Sequence, residues 1–174
     1  SGILTAAGGT LIVNTSTNFV AGTLTGGTWQ AIGNSTLRIT GADITTNAAN
    51  IVIDGVSAKL TRDNVDANAL TSFVTNSATG SLVLRNGANR ATPGAFTNNG
   101  SIIIGPSSTF TTNGIFTQSS GATLSVEIGG IPVSGQFGRL VSTGAAAFDG
   151  TLEVQLVNTY SPDPGHAFPI VEFA

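Results

Sequence analysis

One short stretch, TRDNVDANAL (Thr61–Leu70), gathers acidic and amide side chains, with Asp63, Asn64, Asp66 and Asn68 at near-alternate positions. Calcium takes six to eight oxygen ligands, so these four residues are weak calcium candidates. Their spacing departs from the EF-hand loop, and no glycine-rich nonapeptide repeat accompanies them. A solvated loop closed by Asx turns accounts for the same residues. The only histidine, His166, lies in PDPGH, a turn-like stretch. A Ser–His–Asp triad needs a serine held against that imidazole, and no G-x-S-x-G elbow is present. A lone histidine also makes no zinc site. Glycoside cleavage on a stacked β fold needs two carboxylates converging from neighbouring coils. Asp43 with Asp54, and Glu127 with Glu153, are the pairs to weigh, the second pair falling on outward strand positions that would simply solvate a face. Trp29, the only tryptophan, offers a ring face on which a sugar could stack, but a bulky filler for a wide corner of the core is the simpler account. No catalytic residue, cofactor site or metal site is assigned, and Trp29 is the one possible glycan contact.

The composition says what kind of scaffold must carry these side chains. Charged residues make up 9% of the 174-residue chain, against about 25% in an average domain. Their place is taken by Thr, Ser, Asn and 23 glycines. Thr favours pleated strands, while Asn and Gly favour turns and left-handed backbone; apolar residues never recur at helical spacing. The chain reads as all-β. Net charge is −3 and the five arginines are scattered around a single lysine, Lys59, so the clustered cations that hold nucleic acid are missing. Lys59 also lacks the glycine-rich spacing of a phosphate loop. There is no cysteine for a disulfide or thiolate zinc site. Apolar runs of four to six residues are far short of the roughly 20 that span a bilayer, so no membrane insertion by this segment is expected. With neither methionine nor a signal peptide, the chain is expected to be a piece of a larger protein.

Along the chain one unit recurs: Gly or Asn, Ser or Thr, then apolar-x-apolar. It occurs in GTLIV (9–13), NSTLRI (34–39), NIVI (50–53), GSLVL (80–84), GSIII (100–104), GATLSV (121–126) and GTLEV (150–154). Weaker strands lie between these units. Two or three short strands per coil, with Asn/Gly corners, predict a parallel β-solenoid in which neighbouring coils share one core. The inward set is then Leu11, Val13, Leu37, Ile39, Ile51, Ile53, Leu82, Leu84, Ile102, Ile104, Leu124, Val126, Leu152 and Val154, every second residue of each strand. Asn50, Asn76, Asn98, Asn99 and Asn113 are expected at bends, and Phe96, Phe110, Phe116, Phe137 and Phe148 in an internal aromatic stack. Thr-x-Thr pairs (Thr15/Thr17, Thr23/Thr25, Thr109/Thr111) are too irregular for the flat ladder that binds ice. A β-sandwich is the alternative architecture. No linker divides residues 1–174, and 157–174, rich in proline, read as a terminal strand or cap over the last open coil.

The stretch FTQSSGATLSVEIGG, followed by GRLVSTGAAAFDGTLEVQL, resembles the C-terminal part of the repetitive β-helical stalks of very large bacterial surface proteins, autotransporter passengers and filamentous adhesin-like proteins among them. Phe116, Gln118, Gly121, Thr123, Leu124, Val126, Ile128, Gly129 and Gly130 carry the resemblance. It continues at Leu140, Gly144, Ala145, Gly150, Thr151, Leu152, Val154 and Leu156. The likeness covers about 96–173; FGRL departs from it where the family often has an acidic residue. It implies a right-handed parallel β-helix, extracellular or at the bacterial cell surface, and no catalytic residues. The expected function is therefore a non-catalytic structural or adhesive module, not an enzyme. Its partners would be neighbouring domains of the same large protein, host-surface or matrix glycans and proteins, and further copies added at open solenoid edges. The alternative is a carbohydrate-binding or polysaccharide-cleaving β-helix, with Trp29 and the Asp43/Asp54/Asp63/Asp66 set as its candidates.

Overall fold

The computed structural model describes residues 2–174. The chain is wound into a parallel β-solenoid. Its first coils contain β1 (Ile3–Ala7), β2 (Thr10–Val13), β3 (Phe19–Val20), β4 (Thr23–Ile32), β5 (Thr36–Ile39), β6 (Thr46–Asp54) and β7 (Lys59–Thr61). There follow β8 (Thr75–Asn76), β9 (Ser81–Arg85), β10 (Asn89–Thr92), β11 (Phe96–Asn98), β12 (Ser101–Ile104) and β13 (Thr109–Thr112). The last coils contain β14 (Phe116–Gln118), β15 (Thr123–Ile128), β16 (Arg139–Ser142), β17 (Ala146–Phe148), β18 (Thr151–Leu156) and β19 (Val171–Phe173). A single 3-10 turn, Pro132–Ser134, is the only helical element among the described residues. From β8 onward each coil has three short strands, stacking as β8-β11-β14-β17, β9-β12-β15-β18 and β10-β13-β16-β19. The long β6 underlies the first two faces, pairing with β8 through Thr46–Asn47 and with β9 through Asn50–Asp54. Every named strand pair is parallel except β3–β4, which excludes the antiparallel sandwich.

Alternation decides which side chains point in. In β6 burial alternates strictly, with Asn47, Ala49, Ile51 and Ile53 inside. Register then stacks like on like: Ile51 on Leu82, Ile102, Leu124 and Leu152, and Ile53 on Leu84, Ile104, Val126 and Val154. The members up to Leu124 and Val126 are wholly buried. Leu152 and Val154 face the same way yet are 48% and 49% exposed, because no further coil covers β18. The terminal strand β19 pairs with β16, so the end of the 157–174 segment extends the third face, while Leu152 and Val154 of β18 stay open. Leu11 and Val13, in the first coil, are likewise only partly buried. Phe96 stacks on Phe116 at 6.3 Å and meets Phe110 and Phe73 edge-on at 5.0 and 4.9 Å. Phe137 does not join this stack; it packs on Phe168 instead. Ile115, at the bend after Asn113-Gly114, is 51% exposed.

The corner between the first two faces carries a buried column of amides. Asn47 donates through Nδ2 to Asn76 Oδ1 at 3.0 Å, Asn76 to Asn98 Oδ1 at 2.9 Å, and Asn98 to Gln118 Oε1 at 3.2 Å. Each amide nitrogen also donates to a backbone carbonyl one coil on: Ser81 O, Ser101 O, Thr123 O and Thr151 O. Asn47 and Asn98 additionally accept from Ala49 N and Gly100 N. All four side chains are at most 3% exposed. Burying such groups without partners costs roughly 1–3 kcal/mol each; connected in this way they tie successive coils at one corner. Leu24 and Phe148 occupy the rungs below and above, closing the column with apolar groups.

Asn76→Ala should therefore orphan one N–H of the buried Asn47 amide and take a donor from both Ser101 O and Asn98 Oδ1. At about 1–3 kcal/mol per orphan and about 2–4 °C per kcal/mol at this chain length, thermal unfolding is expected to fall by roughly 5 °C or more. Asn50→Ala, on the outward side where only Thr28 Oγ1 accepts from it, should shift it by about 2 °C at most. Equal losses would show that the ladder has no special role. The corner glycines supply a second comparison. A Cβ on Gly100 would lie 2.3 Å from both Gly80 O and Ser77 O, whereas one on Gly121 would meet nothing within 4 Å. Gly100→Ala is expected to destabilise by about 1–3 kcal/mol and Gly121→Ala to be neutral or slightly stabilising, both read by denaturant unfolding.

Candidate functional site

The acidic stretch folds as an insertion between β7 and β8, held by its own side chains. Asp63 Oδ1 accepts from Val65 N at 3.1 Å and Ala67 N at 2.9 Å, and Asn68 Oδ1 accepts from Leu70 N at 3.0 Å. Both are Asx turns, as short polar side chains favour. Asp66, with a left-handed φ of 59°, receives Lys59 Nζ at 3.1 Å and Arg38 Nη2 at 3.3 Å. Asn64 is exposed and takes no part. Asp63, Asp66 and Asn68 thus spend oxygens on backbone N–H groups and cations, and among the described residues no group of three His, Cys, Asp or Glu side chains is placed to hold a metal ion.

The remaining carboxylates are also engaged one by one. Asp43 pairs with Arg62 at 3.0 Å and accepts from Ser72 Oγ at 2.8 Å. Asp54 accepts from Asn86 Nδ2. Glu127 stands two residues out of register with Glu153, which lies opposite Ser125. Although Glu127 points outward as expected, it is only 5% exposed. The 129–138 excursion folds back over it, with Gly138 N donating to Glu127 O at 2.9 Å. The Arg85 guanidinium reaches it from two coils away, Nε donating at 3.2 Å and Nη2 to the other oxygen. Gly105 stands between them in the column, and a Cβ there would lie 2.7 Å from Arg85 Cγ; the absent side chain is the slot the arginine uses. That hydrogen bond, against partial burial, keeps the guanidinium protonated even more firmly than usual.

Trp29 is 4% exposed and donates through Nε1 to Gly26 O at 2.9 Å, which leaves no open ring face for a sugar. It follows a bulge at Gly26-Gly27, both with positive φ. His166 Nδ1 sits 2.8 Å from Tyr160 Oη and accepts from Asp163 N at 3.2 Å, forming a local turn. Thr109 is flanked by Asn89 and Arg139 in its column, so the Thr-x-Thr pairs build no ladder. Single threonines do: Thr23, Thr46, Thr75, Thr97 and Thr117 form one outward column, where cross-strand Thr pairs support a sheet.

One place on the third face lies outside this pattern. β2-β5-β7 and β10-β13-β16-β19 are separate sheets, and a cleft of about 380 Å³ lined by Lys59, Thr61, Asp66, Asn68, Asn89 and Arg90 separates β7 from β10. Arg90 lies opposite Phe110 in a column that continues to Leu140, an inward position otherwise apolar. Its guanidinium donates to Asn89 O and to Ala58 O, and burial lowers its pKa. Sequence reasoning missed it; the one legible sign was a strand, NRAT, with arginine where its neighbours have an aromatic or leucine.

Compared with known protein families, with curated proteins and with solved structures, the chain matches none.

The hydrogen bond from Lys59 holds the Asp66 carboxyl below the usual carboxylate range; desolvation opposes it, and the charges of Lys59 and Arg38 add to it. A depressed carboxylate pKa contributes stability above the unfolded value and loses it as pH falls toward the folded one. In a carboxyl-carbon NMR titration the Asp66 midpoint is expected below that of an unpaired aspartate, and Lys59→Ala should move it upward. An unchanged midpoint would mean that the pair does not form in solution.

Proposed function

We propose that the chain is a non-catalytic structural module of a bacterial cell-surface or secreted protein, a stiff spacer that carries or presents other parts of the same molecule. The observation that carries this reading is the continuous amide ladder from Asn47 to Gln118 inside in-register apolar columns, an arrangement devoted to holding coils rigidly in line. Parallel strands stack about 4.8 Å apart, so each added coil extends such a rod by a fixed step. The engaged state of Asp43, Asp54, Asp63, Asp66 and Glu127 favours the structural reading over polysaccharide cleavage, which needs two free convergent carboxylates. The link to autotransporter and adhesin stalks rests on the motif around Gln118 and Gly129-Gly130. The partners proposed are neighbouring domains and further copies, meeting unpaired strand edges at β1, with Ile3 71% exposed, and at β18.

Protease shaving of intact cells of the source bacterium should release peptides of this segment; protection until lysis would contradict the surface placement. Purified protein should show no depolymerising activity and no saturable binding to uncharged glycans on an array, while sedimentation velocity should show association growing with concentration. Turnover of any polysaccharide, lost in Asp54→Asn or Glu127→Gln variants that still fold, would replace this reading with the enzymatic one.

A further inference from the structure

We infer that the cleft between β7 and β10 is a binding slot for an oxyanion group, a carboxylate, sulfate or phosphate, with Arg90 as its anchor and Lys59 as its second cation. The chain has six cationic side chains, and five are paired: Arg38 and Lys59 with Asp66, Arg62 with Asp43, Arg85 with Glu127, Arg139 with Glu172. Among the described residues Arg90 alone has no carboxylate partner, although it is drawn into the fold at a position where the coils above place Phe110 and Leu140. A guanidinium carries five N–H donors in a planar fork. Two carbonyls, Asn89 O and Ala58 O, receive donations here, which leaves donors for a ligand in the cleft. Thr61 Oγ1, on the cleft wall, is buried without a hydrogen-bond partner, and the amides of Asn68 and Asn89 stand at its rim.

The local charge favours an anion. Asp66 is the only acid lining the cleft, and it is held by two cations, Lys59 and Arg38. The lining therefore carries two cations, Lys59 and Arg90, against one carboxylate already paired with Lys59 and with Arg38 beyond the cleft, a positive site on a chain whose net charge is −3. The desolvation that lowers the Arg90 pKa also removes the water that would compete for its donors, and guanidinium recognises planar or tetrahedral oxyanions through paired hydrogen bonds. A staple that only sealed the seam would need neither the spare donors nor the second cation. The slot does not depend on where the protein resides.

The test uses the intact folded chain and the Arg90 Nε–Hε resonance, titrated at constant ionic strength with inorganic phosphate, sulfate, acetate and glucuronate against chloride. The expected result is a saturable shift at Arg90, Lys59 and Asn89 with a dissociation constant near the millimolar range, as a few charged hydrogen bonds provide, and no saturation with chloride. Arg90→Met, which keeps the apolar stem, should weaken binding by about ten- to a hundredfold. Lys59→Met, at an exposed site, should weaken it by about two- to fivefold. Tighter binding of glucuronate than of acetate would place the anion on a sugar acid, and a preference for phosphate would place it on a phosphate group. Linear, unsaturable shifts with all four anions would overturn the proposal, as would an unchanged dissociation constant in a folded Arg90→Met protein. Should Arg90→Met not fold, the wild-type titration and the Lys59→Met ratio decide alone.

Discussion

The buried amide ladder is the constraint on which the rest of this solenoid depends. An apolar column by itself tolerates slippage, since leucine packs acceptably on isoleucine or valine in several offsets. An asparagine does not, because its donors and acceptor must each meet one partner and burial without them is expensive. Asn76 is fixed at once to Asn47, Asn98, Gly80 O and Ser101 O. A shift by one residue turns every side chain to the other face and would put these amides in solvent and threonines in the core. Once the corner is locked, the apolar columns of β6, β9, β12 and β15 fall into register without further instruction.

The locked corner requires glycine beside Asn76 and Asn98, although the equivalent positions next to Asn47 and Gln118 are Ala49 and Ala122. The chain turns there so closely over the coil below that a Cβ on Gly80 would lie 2.3 Å from Asn47 O. The outer surface follows the same logic on a larger scale. In a chain this poor in charge, most of the ion pairs join residues far apart in sequence, such as Arg85 with Glu127 and Arg38 with Asp66. They brace coils and the two excursions, 62–74 and 129–138, against the rod. Asp43, Asp66 and Glu127 are each engaged in this way by a cation.

How much of this was legible depended on which physical rule each residue obeys. The inward aliphatic residues from Leu37 to Val126 follow the two-residue period of a strand and could be placed from the sequence. Leu152 and Val154 obey the same rule, and their exposure reflects what lies above them, which no period encodes. Asn76 and Asn98 were legible as corner residues but not as partners, since a ladder is visible only once coils are aligned. Asn47 is hidden in the sequence because the repeat unit NIVI begins at Asn50, whose side chain points out. Gln118 stood out only as part of a family-like motif, although its extra methylene does a specific job, reaching Thr151 O and Asp149 O at the last rung. Glu127 shows the reverse problem: residue type suggests a solvated surface role, while a folded-back loop covers it; Trp29, read more simply as a core filler, is buried beside a glycine bulge.

The third face departs from the repeat at β7–β10, and the ladder explains why it can. Faces one and two remain continuous past this point, through β6-β8-β11 and β6-β9-β12, so coil registry does not require a third set of backbone bonds. The insertion after β7 uses that freedom, satisfying the exposed edge with an antiparallel bridge between Thr61 and Asn68 and a bond from Ala69 N to Leu60 O. Arg90 then fills, with a polar side chain, a space that a paired strand and an apolar residue would otherwise close. A regular stack has little room for chemistry because each side chain is committed to its neighbours. Among the described residues, the seam between β7 and β10 is where sheet pairing lapses and where the Arg90 side chain keeps uncommitted donors, and that is the part of the rod able to respond to something other than itself.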